Sequence, residues 1–323
     1  MLVWIIDEEW SDYDLEREIL TKIFPNIEIK RSTYDYKEDL ENFGYKADGI
    51  LCQVYADIPR NTINRLENCK GIAVYGGGYD RVDIEAAKEN KIMVTNVQGY
   101  CAEDLADYTI ASIYYANKQI EKYAKNVSAD IKSGKWGATS VDRLQNRISN
   151  QTLLIIGLGT IGLAVANRAK LLGMKVIAYD EFLDEESIKK LGFEKVSWEE
   201  GLIQADYVSV NLKGCDENAD KIKYDSLKLM KNTAYIINTS RGKVINEEDL
   251  IRAVNEKLIA GAILDVIKEE PGKVGDPIFE CENILVTPHI SYISVESFRA
   301  LKEFAINNLI DMINGKKPKD MVY

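Results

Sequence analysis

Histidine is scarce in this sequence, with His289 as the only one among 323 residues. A chain of this length can fold without histidine, so His289 is either incidental or retained because an imidazole titrates near neutral pH. Cysteine is sparse and scattered, and no two cysteines form a Cys-x-x-Cys pair. This spacing argues against a disulfide framework and predicts reduced packing cysteines. They are Cys52, Cys69, Cys101, Cys215 and Cys281.

Long apolar runs are also lacking, since none approaches the roughly 20 residues that a membrane helix needs. The N-terminus has no basic segment followed by an apolar stretch, so no signal peptide is expected. Acidic residues outnumber basic ones by 52 to 41, and the formal charge of -11 argues against binding to nucleic acid or anionic membrane. We therefore expect a cytoplasmic protein whose partner is a small molecule.

The sequence does contain a regular alternation of short apolar runs and amphipathic stretches. This pattern predicts an α/β protein with parallel, doubly wound sheets, and the length suits two domains. In the first third, helices are predicted at 11–23, with Ser11 as N-cap, and at 60–69, opened by Pro59. The strands predicted there are Leu2–Ile6, Ile27–Lys30, Gly49–Cys52, Gly71–Tyr75 and Ile92–Thr95.

A stretch without Gly or Pro, Ala102–Lys125, predicts a long helix that leaves the first domain for a second. The amphipathic stretch Val295–Asn314 is expected to pack back on the first domain. The first domain would then comprise 1–100 and 291–323, and the second 101–290. Six strands suit a complete dinucleotide-binding sheet in the second domain. They are Thr152–Ile156, Lys175–Tyr179, Tyr207–Leu212, Ala234–Asn238, Ala260–Asp265 and Ile284–Thr287.

A glycine pattern follows the first of these six strands. Gly157-x-Gly159-x-x-Gly162 precedes a helix predicted at 160–172. Gly157 permits a tight turn, Gly159 lets a pyrophosphate approach the backbone, and Gly162 lets helix and strand pack closely. The helix N-terminus offers free N–H groups and a positive dipole end to the phosphates.

The next strand ends at Asp180, at the distance from the glycines where a ribose-binding acid is expected. A carboxylate there accepts hydrogen bonds from the ribose 2′-OH and repels a 2′-phosphate. Glu181 adds a second negative charge. The sequence therefore predicts NAD rather than NADP as cofactor.

Polar segments end three later strands, where ligands bind in an open α/β sheet. Arg241 offers a bidentate fork to a carboxylate, and His289 can exchange a proton near neutral pH. Glu270 can orient the imidazole and favour its charged form. Taken singly, each residue has a simpler interpretation. Arg241 could form a surface ion pair, Glu270 could be solvated, and His289 could be a core histidine. Their joint occurrence after a dinucleotide loop favours a catalytic set.

From about Gly71 to the C-terminus, the chain resembles the D-isomer-specific 2-hydroxyacid dehydrogenases. It is most similar to the C-terminal-binding-protein-like and D-lactate dehydrogenase branches, and residues 2–51 agree only in pattern. The motifs are GGGYDRVD (76–83), NVQGYCAEDLADY (96–108), GLGTIG (157–162), NTSRGKVINEEDL (238–250), GAILDVIKEEP (261–271) and TPHI (287–290). The resemblance implies a Rossmann NAD-binding domain inserted in a flavodoxin-like substrate domain.

The resemblance also implies roles for individual residues. Arg241, Glu270 and His289 would be the catalytic set, and Asp265 would face the nicotinamide carboxamide. The substrate contacts would be Arg241, the backbone N–H groups of Gly77 and Gly78, Tyr100 and Tyr292. No metal is implied. The implied cofactor contacts are Gly157, Gly159, Thr160, Ile161, Gly162, Asp180, Leu212, Lys213, Asn218, Thr239, Arg241, Asp265 and His289.

Some positions depart from the family pattern. The common His-x-Pro after the fourth strand is Asn211-Leu-Lys213 here, which alters the adenine wall. Tyr108 stands where family members often have histidine, and Tyr292 stands where the related branch often has tryptophan. The pocket is therefore expected to be reshaped, while no catalytic group is lost.

The resulting hypothesis is reduction of a 2-oxo acid to its D-2-hydroxy acid by hydride transfer from NADH. Arg241 and the Gly77–Gly78 amides would clamp the carboxylate, while His289 gives its proton to the carbonyl oxygen. One alternative is an NAD-sensing binding protein like the related corepressors. Another is a dehydrogenase of phosphorylated acids, for which Arg60 and Arg81 offer cations.

A homodimer is also expected. Related dehydrogenases dimerise through the region of the predicted long helix. The apolar residues Leu105, Ile110 and Ile113 of that helix exceed what one domain face needs.

Overall fold

The computed structural model describes all 323 residues and divides into two compact units. The first unit contains Met1–Tyr100 and Ser294–Tyr323, and the second contains Cys101–Ile293. The chain thus leaves the first unit once and returns to it. None of its helices combines the length and apolar character needed to cross a membrane.

The first unit contains a five-stranded parallel sheet in the order β2-β1-β3-β4-β5. Its strands are β1 (Leu2–Ile6), β2 (Glu28–Ser32), β3 (Gly49–Gln53), β4 (Gly71–Tyr75) and β5 (Met93–Thr95). Its helices are α1 (Asp14–Ile23), α2 (Lys37–Asn42), α3 (Arg60–Ile63), α4 (Ile84–Glu89) and α13 (Val295–Ile313). Every residue of β1, β3 and β4 is buried, as expected for central strands covered on both faces.

Helix α13 packs on β3 and β4 and so ties the end of the chain to the first unit. A Cβ added to Gly49 would lie 2.7 Å from Leu309, and one added to Gly71 would lie 2.4 Å from Met312. Glycine at the start of both strands therefore lets the helix approach the sheet closely.

Two helix predictions in the first unit are wrong in their limits. Helix α1 begins at Asp14 after Tyr13, so Ser11 does not cap it. Helix α3 does follow Pro59 but ends at Ile63, well short of Cys69. In both cases the helical spacing of apolar residues extends beyond the residues that form the helix.

The second unit contains a seven-stranded parallel sheet in the order β12-β11-β10-β9-β6-β7-β8. Its strands are β6 (Thr152–Ile156), β7 (Lys175–Tyr179), β8 (Glu194–Lys195), β9 (Tyr207–Val210), β10 (Tyr235–Asn238), β11 (Gly261–Leu264) and β12 (Ile284–Val286). The fold class predicted from the sequence is confirmed. The edge strand β8 was missed because two residues, both charged, form no apolar run.

Helices cover both faces of this sheet. Leu153 and Ile155 of β6 point into one hydrophobic core, and Leu154 and Ile156 point into the other, which explains the unbroken apolar run. The helices are α5 (Ala102–Lys118), α6 (Ile120–Lys132), α7 (Thr160–Leu171), α8 (Glu185–Lys190), α9 (Trp198–Gln204), α10 (Tyr224–Leu227), α11 (Glu247–Asn255) and α12 (Pro277–Glu280).

The prediction of one long helix over Ala102–Lys125 is wrong, because the chain forms two. Gln119 takes a left-handed conformation with φ of +49° and separates α5 from α6. Helix α5 buries residues against α7, whereas α6 has no buried residue. The burial changes at the break, although the sequence contains no Gly or Pro there.

Candidate active site

The predicted site residues of the second unit follow the carboxyl ends of neighbouring strands. β6 pairs with β7 on one side and with β9 on the other. The chain therefore builds the sheet outward from β6 first on one side, through β7 and β8, and then on the other, through β9 to β12. Asn238 of β10 is paired with Leu264 of β11, which is paired with Val286 of β12. Segments that leave these three strands therefore start at one level, on the edge where α/β sheets bind ligands.

The glycines between β6 and α7 have three different surroundings. Gly157 has a φ of +88°, and a Cβ there would lie 2.8 Å from Asn211 O. A Cβ on Gly162 would lie 2.0 Å from Gly157 O, so helix and turn could not pack as they do. A Cβ on Gly159 would meet nothing within 4 Å. The open space at Gly159, at the N-terminus of α7, fits the pyrophosphate of a dinucleotide.

Thr160 and Ile161 form the first turn of α7, directly after this open space. The loop after β9 borders the same turn, since Leu212 Cδ2 lies 3.3 Å from the Cβ position of Gly157. Within that loop, Asn218 Nδ2 donates to Lys213 O (2.9 Å). Asn218 thus stabilises the loop conformation, and Leu212 borders the glycine turn.

Asp180 joins the end of β7 to the glycine turn. Its Oδ2 accepts a hydrogen bond from Leu158 N (2.8 Å), and its Oδ1 accepts from Phe182 N (2.9 Å) and Leu183 N (3.0 Å). A carboxylate has about four acceptor positions, so a further donor can be accommodated. The carboxylate is held rigidly where the ribose was predicted.

The turn after β10 positions Arg241. Asn238 Oδ1 accepts hydrogen bonds from Ser240 N (3.0 Å) and Oγ (2.7 Å), and Asn238 Nδ2 donates to Arg241 O (3.0 Å). Arg241 Nη1 donates to Ser240 O (2.8 Å). A guanidinium has five N–H donors in a fork, so others remain for a carboxylate. Thr239 is buried within the same turn.

Gly242 brings this turn against the segment that follows β11. A Cβ on Gly242 would lie 1.9 Å from the carbonyl carbon and oxygen of Ile267. No side chain fits there, so only glycine permits this approach. The turn carrying Arg241 therefore lies beside the segment that leads to Glu270.

Glu270 and His289 are in direct contact. Glu270 Oε2 lies 2.8 Å from His289 Nδ1, while its other oxygen accepts a hydrogen bond from Ile267 N (3.1 Å). A carboxylate only accepts, so the Nδ1 atom carries the proton and Nε2 is the atom that can exchange one. The two side chains remain about one-fifth exposed, at 22% and 21%. This is the arrangement expected of an acid–base pair.

Asp265 holds the loop that carries His289. Its side chain is fully buried, and its carboxylate accepts hydrogen bonds from Ile290 N (2.9 Å), Ser291 N (2.8 Å) and Thr287 Oγ1 (2.5 Å). His289 itself has a φ of +55°, and its N–H donates to Asp265 O (3.0 Å). The sequence suggested only a nicotinamide contact for Asp265 and missed this role in ordering the loop.

Tyr108 extends this network. Its hydroxyl lies 2.5 Å from Thr287 Oγ1. Because Thr287 donates its only hydroxyl proton to Asp265, Tyr108 must be the donor to Thr287. Burial raises the pKa of Tyr108, so the phenol keeps its proton. The sequence indicated that Tyr108 departs from the family pattern. It did not indicate the hydrogen-bond partner, Thr287, which lies 179 residues later.

In the first unit, Gly77 and Gly78 follow β4 and present two oriented amides. Val97 N donates to Gly76 O (2.8 Å), and Asn96 Nδ2 donates to Gly77 O (2.8 Å). In a trans peptide the C=O and the following N–H point in opposite directions. The N–H groups of Gly77 and Gly78 therefore both point away from Asn96 and Val97.

The two predicted tyrosines lie in different units. The Tyr292 ring stands perpendicular to the His289 ring, with centroids 6.0 Å apart. Tyr100 belongs to the first unit, where its carbonyl accepts from Ser297 Oγ (3.1 Å). Of the two cations considered for a phosphorylated substrate, Arg60 pairs with Glu89 and Asp83, and Arg81 pairs with Asp57.

Comparison with known proteins identifies the class. Residues 110–291 match the family model described as D-isomer specific 2-hydroxyacid dehydrogenase, NAD binding domain. A glyoxylate reductase of Korarchaeum cryptofilum is 36% identical over 279 residues, which cover 85% of this chain and 80% of that protein. A glyoxylate reductase of Thermococcus litoralis is 34% identical over 282 residues, covering 86% and 84%.

Solved structures agree with these relatives. The TT0316 protein from Thermus thermophilus superimposes with a TM-score of 0.85 at 29% identity, covering 100% of both chains. A D-lactate dehydrogenase from Aquifex aeolicus, complexed with NAD and lactic acid, superimposes with a TM-score of 0.83 at 27% identity. That match covers 97% of this chain and 96% of the other.

The fold and the dinucleotide-binding edge thus define an NAD-linked oxidoreductase. The chain belongs to the D-isomer specific 2-hydroxyacid dehydrogenase family, whose reaction is hydride transfer between NAD(H) and a 2-oxo acid/D-2-hydroxy acid pair. The family, the enzyme class and the cofactor predicted from the sequence are confirmed. These relatives do not favour either alternative, the NAD-sensing binding protein or the dehydrogenase of phosphorylated acids.

Proposed function

We propose that this chain reduces a small 2-oxo acid with NADH, using Arg241, Glu270 and His289. The observation that carries the proposal is the 2.8 Å contact between Glu270 and His289 on the ligand-binding edge of the sheet. Glyoxylate is the first substrate to test, because the curated relatives quoted above are named glyoxylate reductases. NADH, when bound, supplies the hydride.

Side chains of the second unit bind the substrate and transfer the proton. The guanidinium of Arg241 binds the substrate carboxylate and polarises the adjacent carbonyl. Nε2 of protonated His289 gives its proton to the carbonyl oxygen as that oxygen gains charge. Glu270 fixes the tautomer and stabilises the imidazolium. Asp265, through the N–H groups of Ile290 and Ser291, holds the loop in which His289 lies.

The amides of Gly77 and Gly78 supply further donors for the substrate carboxylate in this proposal. Their parallel orientation supports the role, because two adjacent N–H groups suit an anion. Neither amide donates to a backbone carbonyl of the chain. Tyr100 and Tyr292 are proposed to shape substrate choice rather than chemistry.

A homodimer forms part of the proposal, but through a different surface from the one first expected. Leu105 and Ile113 are buried within their own unit and are not free to form a subunit interface, while Ile110 is partly buried. Six exposed apolar side chains lie instead on α6 and the segment after it, named here the α6 arm. They are Ile120, Val127, Ile131, Trp136, Val141 and Leu144.

A second copy of this chain is the proposed occupant of the α6 arm. Helix α6 has no buried residue, although it carries apolar side chains at helical spacing. Exposed apolar side chains grouped on one helix and the segment after it are typical of an interaction surface. The α6 arm also continues directly from α5, the helix region through which related dehydrogenases were expected to pair.

A cytoplasmic location completes the proposal. All five cysteines are free thiols, and Cys52, Cys69, Cys101 and Cys281 are buried packing residues. Burial raises the pKa of the Cys52 thiol to about 12, so this cysteine is unreactive. Reduced cysteines of this kind are typical of cytosolic proteins.

A steady-state screen tests the proposed reaction. NADH oxidation is followed with glyoxylate, pyruvate, hydroxypyruvate, 2-oxoisocaproate and 3-phosphohydroxypyruvate, with His289→Gln as control. We expect turnover of one of the small unphosphorylated acids and a large loss in the variant. NADH binding without turnover of any acid would instead favour a binding protein, and preference for the phosphorylated acid would favour the other alternative.

A further inference from the structure

Glu181, directly after the predicted ribose acid, forms an ion pair with a lysine from a distant part of the sequence. Lys221 Nζ donates to Glu181 Oε1, and Tyr179 OH donates to the same oxygen (2.8 Å). The hydrogen bond from Lys221, followed by that from Tyr179, lowers the pKa of Glu181. At neutral pH the two opposite charges therefore lie together beside Asp180.

Aromatic side chains help to position this lysine. The Lys221 ammonium lies 5.8 Å from the centroid of the Trp198 ring, and that ring packs edge-on against Tyr179 at 5.1 Å. The lysine side chain is 28% exposed, less than the 44% of its glutamate partner. Lys221 thus contacts both Glu181 and the Trp198 ring, after the end of β7.

This contact corrects the charge count made from the sequence, in which Asp180 and Glu181 both repelled a 2′-phosphate. The charge of Glu181 is balanced by Lys221. Among Asp180, Glu181 and Lys221, only the negative charge of Asp180 therefore has no opposite charge paired with it. A lysine beside the ribose position is a suitable ligand for a phosphate, but here it is bound to a carboxylate.

We propose that Glu181 sets cofactor preference by holding Lys221, rather than by repelling the phosphate with its own charge. Lys221 is then a latent ligand for the 2′-phosphate of NADPH. The proposal rests on the proposed placement of the adenosine ribose at Asp180. Both side chains are partly exposed, so loss of Glu181 releases the lysine without unfolding the surface.

Simple repulsion makes a different prediction from lysine release. If Glu181 acts only through its own charge, replacing it improves NADPH binding whether or not residue 221 is a lysine. If it acts by holding the lysine, the improvement requires Lys221. A double variant therefore separates the two explanations.

The experiment measures the dissociation constants of NADPH and NADH by fluorescence titration for the intact protein, Glu181→Gln, Lys221→Met and the double variant. A charge-assisted hydrogen bond to the phosphate predicts that Glu181→Gln tightens NADPH binding about 10-fold. NADH binding should change less than about 2-fold, since a ribose 2′-OH gains little from a released ammonium. The double variant should return NADPH binding to the value of the intact protein.

Glu256→Gln is the matched control. It removes the same charge from another ion pair, with Arg252, at the C-terminal end of α11. That end lies near the start of β11, on the sheet edge opposite to the dinucleotide site. This variant should bind both cofactors as the intact protein does.

Two results would overturn the proposal. One is an unchanged affinity of Glu181→Gln for NADPH, and the other is a gain that persists in the double variant. Failure of the intact protein to bind NADH is a separate result, which would count against the proposed function. Thermal melting of all variants shows whether any has lost its fold.

Discussion

Thr287 donates its hydroxyl proton to the buried carboxylate of Asp265 across 2.5 Å. The same carboxylate accepts the N–H groups of the two residues after His289. The imidazole is therefore positioned by two separate groups, Glu270 at the ring and Asp265 at the backbone. The buried carboxylate of Asp265 thus orders the loop backbone, while Glu270 contacts the imidazole ring.

Removing the Thr287 hydroxyl should slow turnover. A hydrogen bond to a charged group is worth roughly 1.5–3 kcal/mol, so Thr287→Val should lower kcat by about 10- to 100-fold if the loop carries the whole effect. Tyr108→Phe should cost less, because the bond from Thr287 to Asp265 survives. Steady-state kinetics at saturating NADH measures both.

Thr109→Val is the control for this pair. Thr109 is also buried in the second unit, but its hydroxyl donates only to Leu105 O within α5. Equal losses in Thr109→Val and Thr287→Val would show that the effect reflects general packing. A larger loss in Tyr108→Phe than in Thr287→Val would contradict the donor order assigned above.

Asp180 should govern the choice between NADH and NADPH. Asp180→Ala removes the unbalanced charge and loses acceptors for both the ribose and Leu158 N. We expect weaker NADH binding and a smaller ratio of NADH to NADPH catalytic efficiency. Equal efficiency with both cofactors in the intact enzyme would already exclude this role.

The α6 arm should be required for dimerisation. Replacing both Ile120 and Ile131 by Lys adds charges to exposed apolar positions, so the double variant should be monomeric at micromolar concentration. Ile203→Lys on α9 is the matched control, since Ile203 is also an exposed isoleucine of the second unit. Sedimentation velocity decides: a monomeric intact protein, or a double variant that still dimerises, rejects this surface.

The buried Glu16–Lys302 pair should give the first unit a distinct pH dependence. Burial, against the opposing effect of Lys302, raises the pKa of Glu16 above its ordinary 4.5. The folded chain then binds this proton more tightly than the unfolded chain. Its contribution to stability is complete below about pH 4.5 and is lost as pH rises through the raised pKa.

Glu16→Gln removes this contribution. The free energy of unfolding of the intact protein, relative to the variant, should therefore fall between pH 4 and pH 7. Urea unfolding at both pH values measures the difference, with Glu18→Gln as an exposed control on the same helix. A difference that increases with pH would mean that the ion pair with Lys302 outweighs burial.

Local features of the fold and site followed from the sequence, and distant pairings did not. The positive φ of Gly157 and the close packing of Gly162 on Gly157 are local, so the glycine pattern indicated them. The contacts Lys221–Glu181 and Tyr108–Thr287 join residues that are 40 and 179 positions apart. The residues next to them in sequence give no sign of either pairing.

The break at Gln119 shows a second limit. The left-handed Gln119 gives no signal in a helical pattern, because glutamine is an ordinary helix residue. Asn117 donates to Asn146 O and Gln151 Oε1, both outside the helix (3.0 Å each). The end of α5 is thus fixed by a later segment, which periodicity within residues 102–125 cannot reveal.

The pH profile should reflect His289. Reduction requires the protonated imidazole, so its rate should fall as pH rises, while oxidation of the hydroxy acid should show the opposite limb. Glu270→Gln removes the carboxylate that contacts the imidazole Nδ1, so the position of both limbs should change. Profiles of kcat/KM in both directions test this, and limbs that stay in place would separate Glu270 from the proton transfer.

The turnover of His289→Gln tests the central claim most directly. The variant should still bind NADH, because the glycine turn and Asp180 are intact. It should reduce the best 2-oxo acid on the order of 10²–10⁴ more slowly, the usual contribution of a positioned acid. Reduction at the native rate by a variant that binds NADH normally would show that the proton comes from another group, and the assignment of His289 would be wrong.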